Sequence, residues 1–238
     1  MSASRASTES RAASGVAPPT RCNVSRVGDI IGALEGEYGP REFVSRGRAV
    51  DVLVETILSQ NTSDVNSRRA FQSLVAKFGA LEAVAAAPVD DIERAISSAG
   101  LSRIKSVRIH DLLVRLLRER GSLDLSFLGT QDVDAARGYL TSFRGVGLKT
   151  ASCVLLFSLG LPAMPVDTHV HRVSRRLGLI DSRVTAEAAH AELEAIVRAE
   201  DRYRFHLLVI EHGRRVCHAR NPRCGLCVLA QLCPSALT

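Results

Sequence analysis

Apolar residues in this chain recur at intervals of three and four, and no stretch alternates with period two. Ile30, Ile31 and Leu34 mark one helical face over residues 27–38, closed by Gly39-Pro40. Val50, Leu53, Val54, Ile57 and Leu58 mark a second, which runs out into Ser59-Gln60-Asn61-Thr62-Ser63-Asp64. That polar run is rich in capping residues, and taken alone its role is to end one helix and start the next over 64–78. Further helices are predicted over 81–87, 89–98, 104–120 and 133–143, with Gly79, Gly100 and Gly121 as punctuation. Leu148, Ala151, Ser152, Leu155, Leu156 and Leu159 then repeat as one helical face, and helices over 169–177, 186–198 and 203–216 follow the break at Gly160-Leu161-Pro162. Val, Ile and Thr never cluster as strands, so the fold class is all-α.

The most informative junction is Gly145-Val146-Gly147, which separates two of these helices. Glycine takes positive φ without a steric penalty, so the triplet predicts a tight helix–hairpin–helix. The second helix begins with unpaired N–H groups at the positive end of its dipole, which makes the hairpin a site for a phosphate. Lys149 sits in that first turn. Asp167 stands two positions before the first residue of the helix over 169–177 and is placed as its N-cap.

Composition narrows the partners. The chain has 238 residues, 46% of them hydrophobic, enough for one large core or two small ones. Lys and Arg number 31 against 25 Asp and Glu, a net charge of +6 that favours a polyanion while being common in proteins that bind none. No run reaches the ~18 apolar residues of a membrane span, and no apolar stretch follows the start, so a soluble, unsecreted protein is expected. Residues 1–25 are rich in Ser, Ala, Arg and Pro and are expected to be a disordered tail. A transit peptide would add an amphipathic Leu or Phe stripe, which the tail lacks.

Cysteine placement adds a metal. Besides Cys22 and Cys153, four cysteines stand close together as Cys217-x6-Cys224-x2-Cys227-x5-Cys233. Four thiols this dense in a reducing compartment indicate an iron–sulfur cluster or a zinc rather than disulfides. Structural zinc usually presents two short-spaced pairs, whereas only Cys224 and Cys227 form one here, so the spacing favours a 4Fe-4S cluster. The loop between the first two ligands carries His218, Arg220 and Arg223, a second place for a phosphate backbone.

Taken together, FRGVGLKTA, PVDTHVHRV and the cysteine spacing resemble the endonuclease III family of helix-hairpin-helix DNA glycosylases, from about Val27 to Pro234. The resemblance implies two helical lobes with DNA in the cleft between them. One, over 48–160, is a six-helix barrel with the hairpin; the other, built from 26–47 plus 161–238, holds the 4Fe-4S cluster. It assigns Lys149 as the amine that attacks the sugar and Asp167 as its carboxylate partner. It places Gly145, Gly147 and Thr150 of the hairpin, with Arg220 and Arg223, against the DNA. A glutamine wedge of the family matches Asn61, with Gln60 adjacent. Glu55 stands where some monofunctional mismatch glycosylases carry an acid, although its spacing also suits an ordinary partly buried glutamate.

The chain departs from many members in having Phe143-Arg144 where they have Leu-Pro, and Leu148 before the lysine where they have Arg. The segment GSLDL at 121–125 followed by SFRGVGLKTA looks closer to the plant 5-methylcytosine glycosylases. The expected function is a monomeric, bifunctional glycosylase and AP lyase acting on a damaged base, an oxidised pyrimidine, in double-stranded DNA, at the nucleoid if the source is bacterial. The alternatives are a monofunctional mismatch glycosylase that activates water through Glu55 or Asp167, and a non-catalytic DNA-structure binding protein. Lys149 argues against the first, and free-base release separates the enzyme from the second. An electron-transfer protein would have no use for a phosphate-binding hairpin beside a lysine and an aspartate.

Overall fold

The computed structural model describes residues 21–236, with side chains from Val24 onward. The first twenty residues of the expected tail, and any targeting role for them, lie outside the described residues. Helix α1 (Arg21–Tyr38) begins at once, six residues ahead of its predicted start. The chain continues through α2 (Ala49–Ser59), α3 (Asp64–Phe78), the short α4 (Leu81–Ala85), α5 (Val89–Ala95), α6 (Ser102–Arg120), α7 (Val133–Thr141) and α8 (Leu148–Phe157). After an extended segment come α9 (Thr168–Arg176), α10 (Ala188–Ile196) and α11 (Arg202–Arg215), then short 3-10 turns around the cysteines. Among the described residues there is no strand, and no helix is long and apolar enough to cross a membrane.

Local chemistry explains the boundaries. Ser63 accepts a hydrogen bond from the Asn66 N–H and starts α3; Asp132 accepts from Asp134 and Ala135 and starts α7. The Thr185 hydroxyl accepts from the Ala188 N–H just ahead of α10, which begins two residues later than its sequence pattern suggests.

Two apolar cores follow the chain order. Helices α2 to α8 enclose the first, from Ala49 to Ala163; α1, α9, α10 and α11 enclose the second, from Val27 and Met164 to Leu229. Helix α8 is the element on which the sequence pattern was too modest. It predicts one apolar face, yet every residue from Thr150 to Phe157 is buried. The helix packs against α2 on one side and α7 on another, and its end reaches the second lobe, where Phe157 meets Tyr203 and His206 edge-on. Each of its large apolar side chains contributes about 1.5–3 kcal/mol by burial, so α8 is fixed firmly in the molecule.

The extended segment over 162–167 is the joint between the lobes, and a buried irregular backbone needs partners for its polar groups. Side chains of α10 and α11 supply them. Arg202 donates to Pro162 O, Glu194 accepts from Met164 N at 2.8 Å, and the Nδ1–H groups of His190 and His206 donate to Met164 O (2.7 Å) and Pro165 O (2.8 Å). Burial lowers the pKa of both histidines to about 4, so each is a neutral donor at physiological pH. This bracing ends at Asp167.

Candidate active site

Helix α7 gives way to the hairpin at Ser142, and only the first hairpin glycine has the left-handed conformation: Gly145 has φ +84°, whereas Gly147 is extended at φ −94°. Gly145 is also crowded, since a Cβ there would lie 2.6 Å from Arg108 Cδ. Gly147 is the N-cap of α8 and stands exposed with open space around it, so the unpaired N–H groups of the first turn can be approached from outside. Thr150 is 3% exposed and its hydroxyl accepts a bond from Gln60, so its side chain serves the hairpin's interior.

Gln60, at the end of α2, braces this turn. Its Nε2 donates to Gly145 O at 3.0 Å and to the Thr150 hydroxyl at 3.3 Å, while its Oε1 accepts from Arg108 Nη1 at 3.4 Å. Asn61 does the opposite: it is exposed, and its φ of +52° turns the chain outward at the corner. Lys105 supports that corner from below. Only 1% exposed, it donates to Leu58 O (2.7 Å), to the Thr62 hydroxyl (2.8 Å) and to Ala99 O (2.8 Å). Burial, with Arg108 nearby, lowers its pKa to about 8.

Lys149 is half-buried in the first turn of α8, close enough to the thiol of Cys153, one turn further on, to act on it electrostatically. Burial pushes that thiol's pKa up, so Cys153 is a neutral, apolar-walled partner for the amine. Asp167 is half-buried as the N-cap of α9, where its Oδ1 accepts from His169 N (2.9 Å) and Val170 N (2.7 Å). Those bonds use one carboxylate oxygen and leave the other outside the cap. Lys149 and Asp167, on helices of different lobes, both act electrostatically on Cys153 and on His206, so the two share one neighbourhood. An amine and a carboxylate held this way can attack an electrophilic carbon and balance the charge that develops there.

Arg46 joins the same neighbourhood, acting on Cys153, His206 and Glu55. Glu55 is exposed on α2, and partial desolvation raises its pKa against the opposing pull of Arg46. Sequence reasoning passed over Arg46 because it lies in a stretch with no periodicity. One signal was available for its neighbours: Lys149, Cys153 and Phe157 fall at i, i+4 and i+8, on one face of α8.

The four C-terminal cysteines line one cavity together with Val173, Leu177 and Leu229. Among the described residues no group of three or more His, Cys, Asp or Glu is placed to hold a single metal ion. Four sulfurs spread around a cavity suit a polynuclear cluster, whose irons occupy the space between them. The donor set fits as well: burial and mutual repulsion raise the pKa of Cys227 and Cys233, so four thiolates need positive charge among them. Arg176 is a neighbour of this set. Its guanidinium donates to Cys217 Sγ (3.2 Å), His218 O (2.6 Å) and Ala219 O (3.0 Å), while Arg172 from the same helix donates to Cys217 O and Gly213 O. Helix α9, whose N-cap is Asp167, is therefore fastened at its other end to the cysteine loop. Arg220 and Arg223 on that loop are exposed.

The chain and its fold both have relatives among known proteins. Residues 54–199 match the family model described as HhH-GPD superfamily base excision DNA repair protein, and residues 217–233 match the iron-sulfur binding domain of endonuclease III. A putative DNA glycosylase of Arabidopsis thaliana is 39% identical over 69% of this chain, which spans 56% of that relative's length. Endonuclease III of Bacillus subtilis (strain 168) is 30% identical over 88% of this chain and 89% of its own. A trapped endonuclease III–DNA covalent intermediate superimposes with a TM-score of 0.75 at 28% identity, covering 90% of this chain and 97% of that one. A thermostable thymine-DNA glycosylase shares the fold, with a TM-score of 0.73 at 19% identity, covering 90% and 97%.

Proposed function

The chain belongs to the endonuclease III family of HhH-GPD base excision DNA repair proteins, and we propose that it is a bifunctional DNA glycosylase and AP lyase with Lys149 as nucleophile and Asp167 as its partner. As a member of the family it is a DNA glycosylase with an iron–sulfur domain. The finer reading rests on one observation above all: Lys149 in the first turn of α8 and Asp167 at the N-cap of α9 both lie within electrostatic range of buried Cys153 and His206. That an endonuclease III relative has been trapped as a covalent intermediate with DNA gives the reading further support.

In this mechanism a damaged base rotates out of the duplex, at a cost of a few kcal/mol. Exposed Asn61 enters the gap, while Gln60 stays with the hairpin. The N–H groups after Gly147 hold a phosphate of the same strand. The Lys149 nitrogen forms a bond to C1′ through its lone pair as the glycosidic C–N bond breaks, and the base leaves with the bonding electrons. Asp167 balances the positive charge that builds on the sugar and takes up a proton from the nitrogen. The nitrogen lone pair then opens the sugar ring: the C1′–O4′ bond breaks as C1′=N forms, and O4′ takes up a proton. The resulting imine acidifies C2′–H; loss of that proton breaks the C3′–O bond, and the 3′ phosphate leaves with the bonding electrons. Cys217, Cys224, Cys227 and Cys233 would hold a 4Fe-4S cluster, which when bound supplies structural cross-linking of the loop carrying Arg220 and Arg223. The favoured substrate is an oxidised pyrimidine in duplex DNA.

The test is a panel of duplexes, each with one defined lesion or mismatch, scored separately for free base and for strand cleavage. The reading expects both products from one lesion class and neither from Lys149→Ala. Base release without any cleavage by the wild type would indicate a monofunctional enzyme instead. Asp167→Asn should bind the lesion duplex and turn over at least tenfold more slowly; unchanged turnover removes Asp167 from the mechanism.

A further inference from the structure

One face of α8 presents Lys149, Cys153 and Phe157 in succession, and the mechanism uses only the first of them. Eight residues of helix extend about 12 Å, the scale of a sugar with its base. At the far end of that face stands Arg46. Its guanidinium lies 3.8 Å from the centroid of the Phe157 ring, and its own N–H donates to Phe157 O at 2.8 Å. The backbone is therefore tied to the end of α8 and the side chain is laid flat on the ring, which holds the planar fork in one orientation. Behind the ring, His206 packs edge-on at 5.3 Å and donates to Pro165 O, two residues before Asp167. The arginine is thus set on a rigid stack that belongs to the catalytic neighbourhood.

Arg46 is exposed and enters no ion pair among the described residues, although Glu55 is close enough to feel its charge. A guanidinium needs neither a carboxylate nor a carbonyl to sit on a ring, but its five donors have a use only when something with acceptors arrives. Glu55, on the neighbouring helix α2, presents acceptors and is likewise unpaired. Two adjacent donors from a fork and an acceptor within electrostatic reach of it are complementary to one base edge in particular. Cytosine offers two neighbouring acceptors, N3 and O2, followed by the 4-amino donor; uracil and thymine interrupt the sequence with N3–H and replace the amino group by a carbonyl.

We propose that Arg46 and Glu55 are specificity-determining residues that read the extruded base, Arg46 donating to the N3 and O2 acceptors and Glu55 accepting from the 4-amino group of a cytosine-derived base. This deepens the glycosylase reading above and rests on it. No bond forms or breaks at either residue; they select which base sits over Lys149.

A single chemical exchange tests the assignment. 5-Hydroxycytosine and 5-hydroxyuracil differ at the 4-position and at N3 and share the oxidised carbon. Excision from duplexes holding each base is measured beside incision of a preformed abasic site, which has no base to read. The wild type should excise the cytosine form faster. Arg46→Ala should lower the ratio of 5-hydroxycytosine excision to abasic-site incision by roughly 10- to 100-fold, the range of one lost bidentate contact. Arg46→Lys, which keeps the charge and loses the fork, should fall nearly as far, and Glu55→Ala should erase the preference between the two bases. An unchanged ratio in Arg46→Ala, full recovery with Arg46→Lys, or a wild-type preference for the uracil form overturns the proposal. If the wild type releases base yet leaves the abasic duplex intact, the lyase reading fails; the Arg46 comparison then proceeds on base release normalised to abasic-duplex binding.

Discussion

Lys105 offers a quantitative test of how the corner at Gln60-Asn61 is held in place. Replacing it by methionine keeps most of the volume of the stem and removes the ammonium. Three acceptors lose their donor: Leu58 O, the Thr62 hydroxyl and Ala99 O, at 2.7, 2.8 and 2.8 Å. Hydrogen bonds to a charged group are worth about 1.5–3 kcal/mol each before desolvation is counted. Methionine recovers part of this, because an ammonium no longer has to be buried, and the Thr62 hydroxyl still has its one proton to donate, to Ala99 O. Leu58 O then loses its donor outright and Ala99 O is left with the Thr62 hydroxyl alone, for a net destabilisation of about 3 kcal/mol. In a chain of this size that lowers the melting temperature by roughly 6–12 °C. The assay is thermal unfolding followed by circular dichroism, with Thr62→Val and the double variant completing a cycle. The two side chains are in direct contact, so their coupling should be about 1 kcal/mol. The corner carries Asn61, so binding to an abasic duplex should weaken as well. A melting temperature within about 2 °C of wild type, or coupling near zero, would show that Lys105 does not hold the corner.

Four other outcomes are expected. Gly145→Ala should weaken DNA binding and cost ~1–2 kcal/mol, because the residue combines φ +84° with a Cβ position 2.6 Å from Arg108 Cδ, whereas Gly147→Ala should fold like wild type; equal effects of the two would contradict this. His190 and His206 have native pKa values of about 4. The unfolded chain therefore binds more protons between pH 6.5 and 4, and stability, complete above about pH 6.5, should fall through that window by about 3 kcal/mol per histidine. Urea unfolding should show a flatter decline for His206→Gln, and an identical slope would exclude the histidine. Arg220→Ala and Arg223→Ala should each reduce the slope of log affinity against log salt by about 1 while leaving lesion preference intact; altered lesion choice would contradict a backbone role. Cys227→Ser should lose the broad visible absorbance and most of the expected iron, roughly four atoms per chain, and a colourless wild-type protein with one zinc would refute the cluster.

The sequence was most legible where one residue carries a strong local preference. Asp167 caps α9 as its position before a helical pattern required, and Ser63 caps α3 for the same reason. The cysteine spacing announced a metal because four thiols have few other uses. The buried circumference of α8 was not legible, since periodicity reports one apolar face and a central helix has several. Gln60 and Asn61 look alike as polar residues in a corner; only the three-dimensional placement of Gly145 and Thr150 separates the inward brace from the outward residue. Lys105, His190 and His206 are polar residues that sequence reading sends to the surface, and their partners lie 47, 26 and 41 positions away. Arg46 was hidden for a related reason: its ring partner, Phe157, is on another element.

The central claim is that the Lys149 amine forms a covalent bond to the sugar. Borohydride reduction during reaction with a lesion-bearing duplex converts that imine to a stable secondary amine. The account predicts one cross-linked species per chain, mapped by peptide mass spectrometry to Lys149, and none with Lys149→Ala. A wild-type protein that releases base without any trapped adduct, or a Lys149→Ala protein that traps as well as wild type, would contradict it.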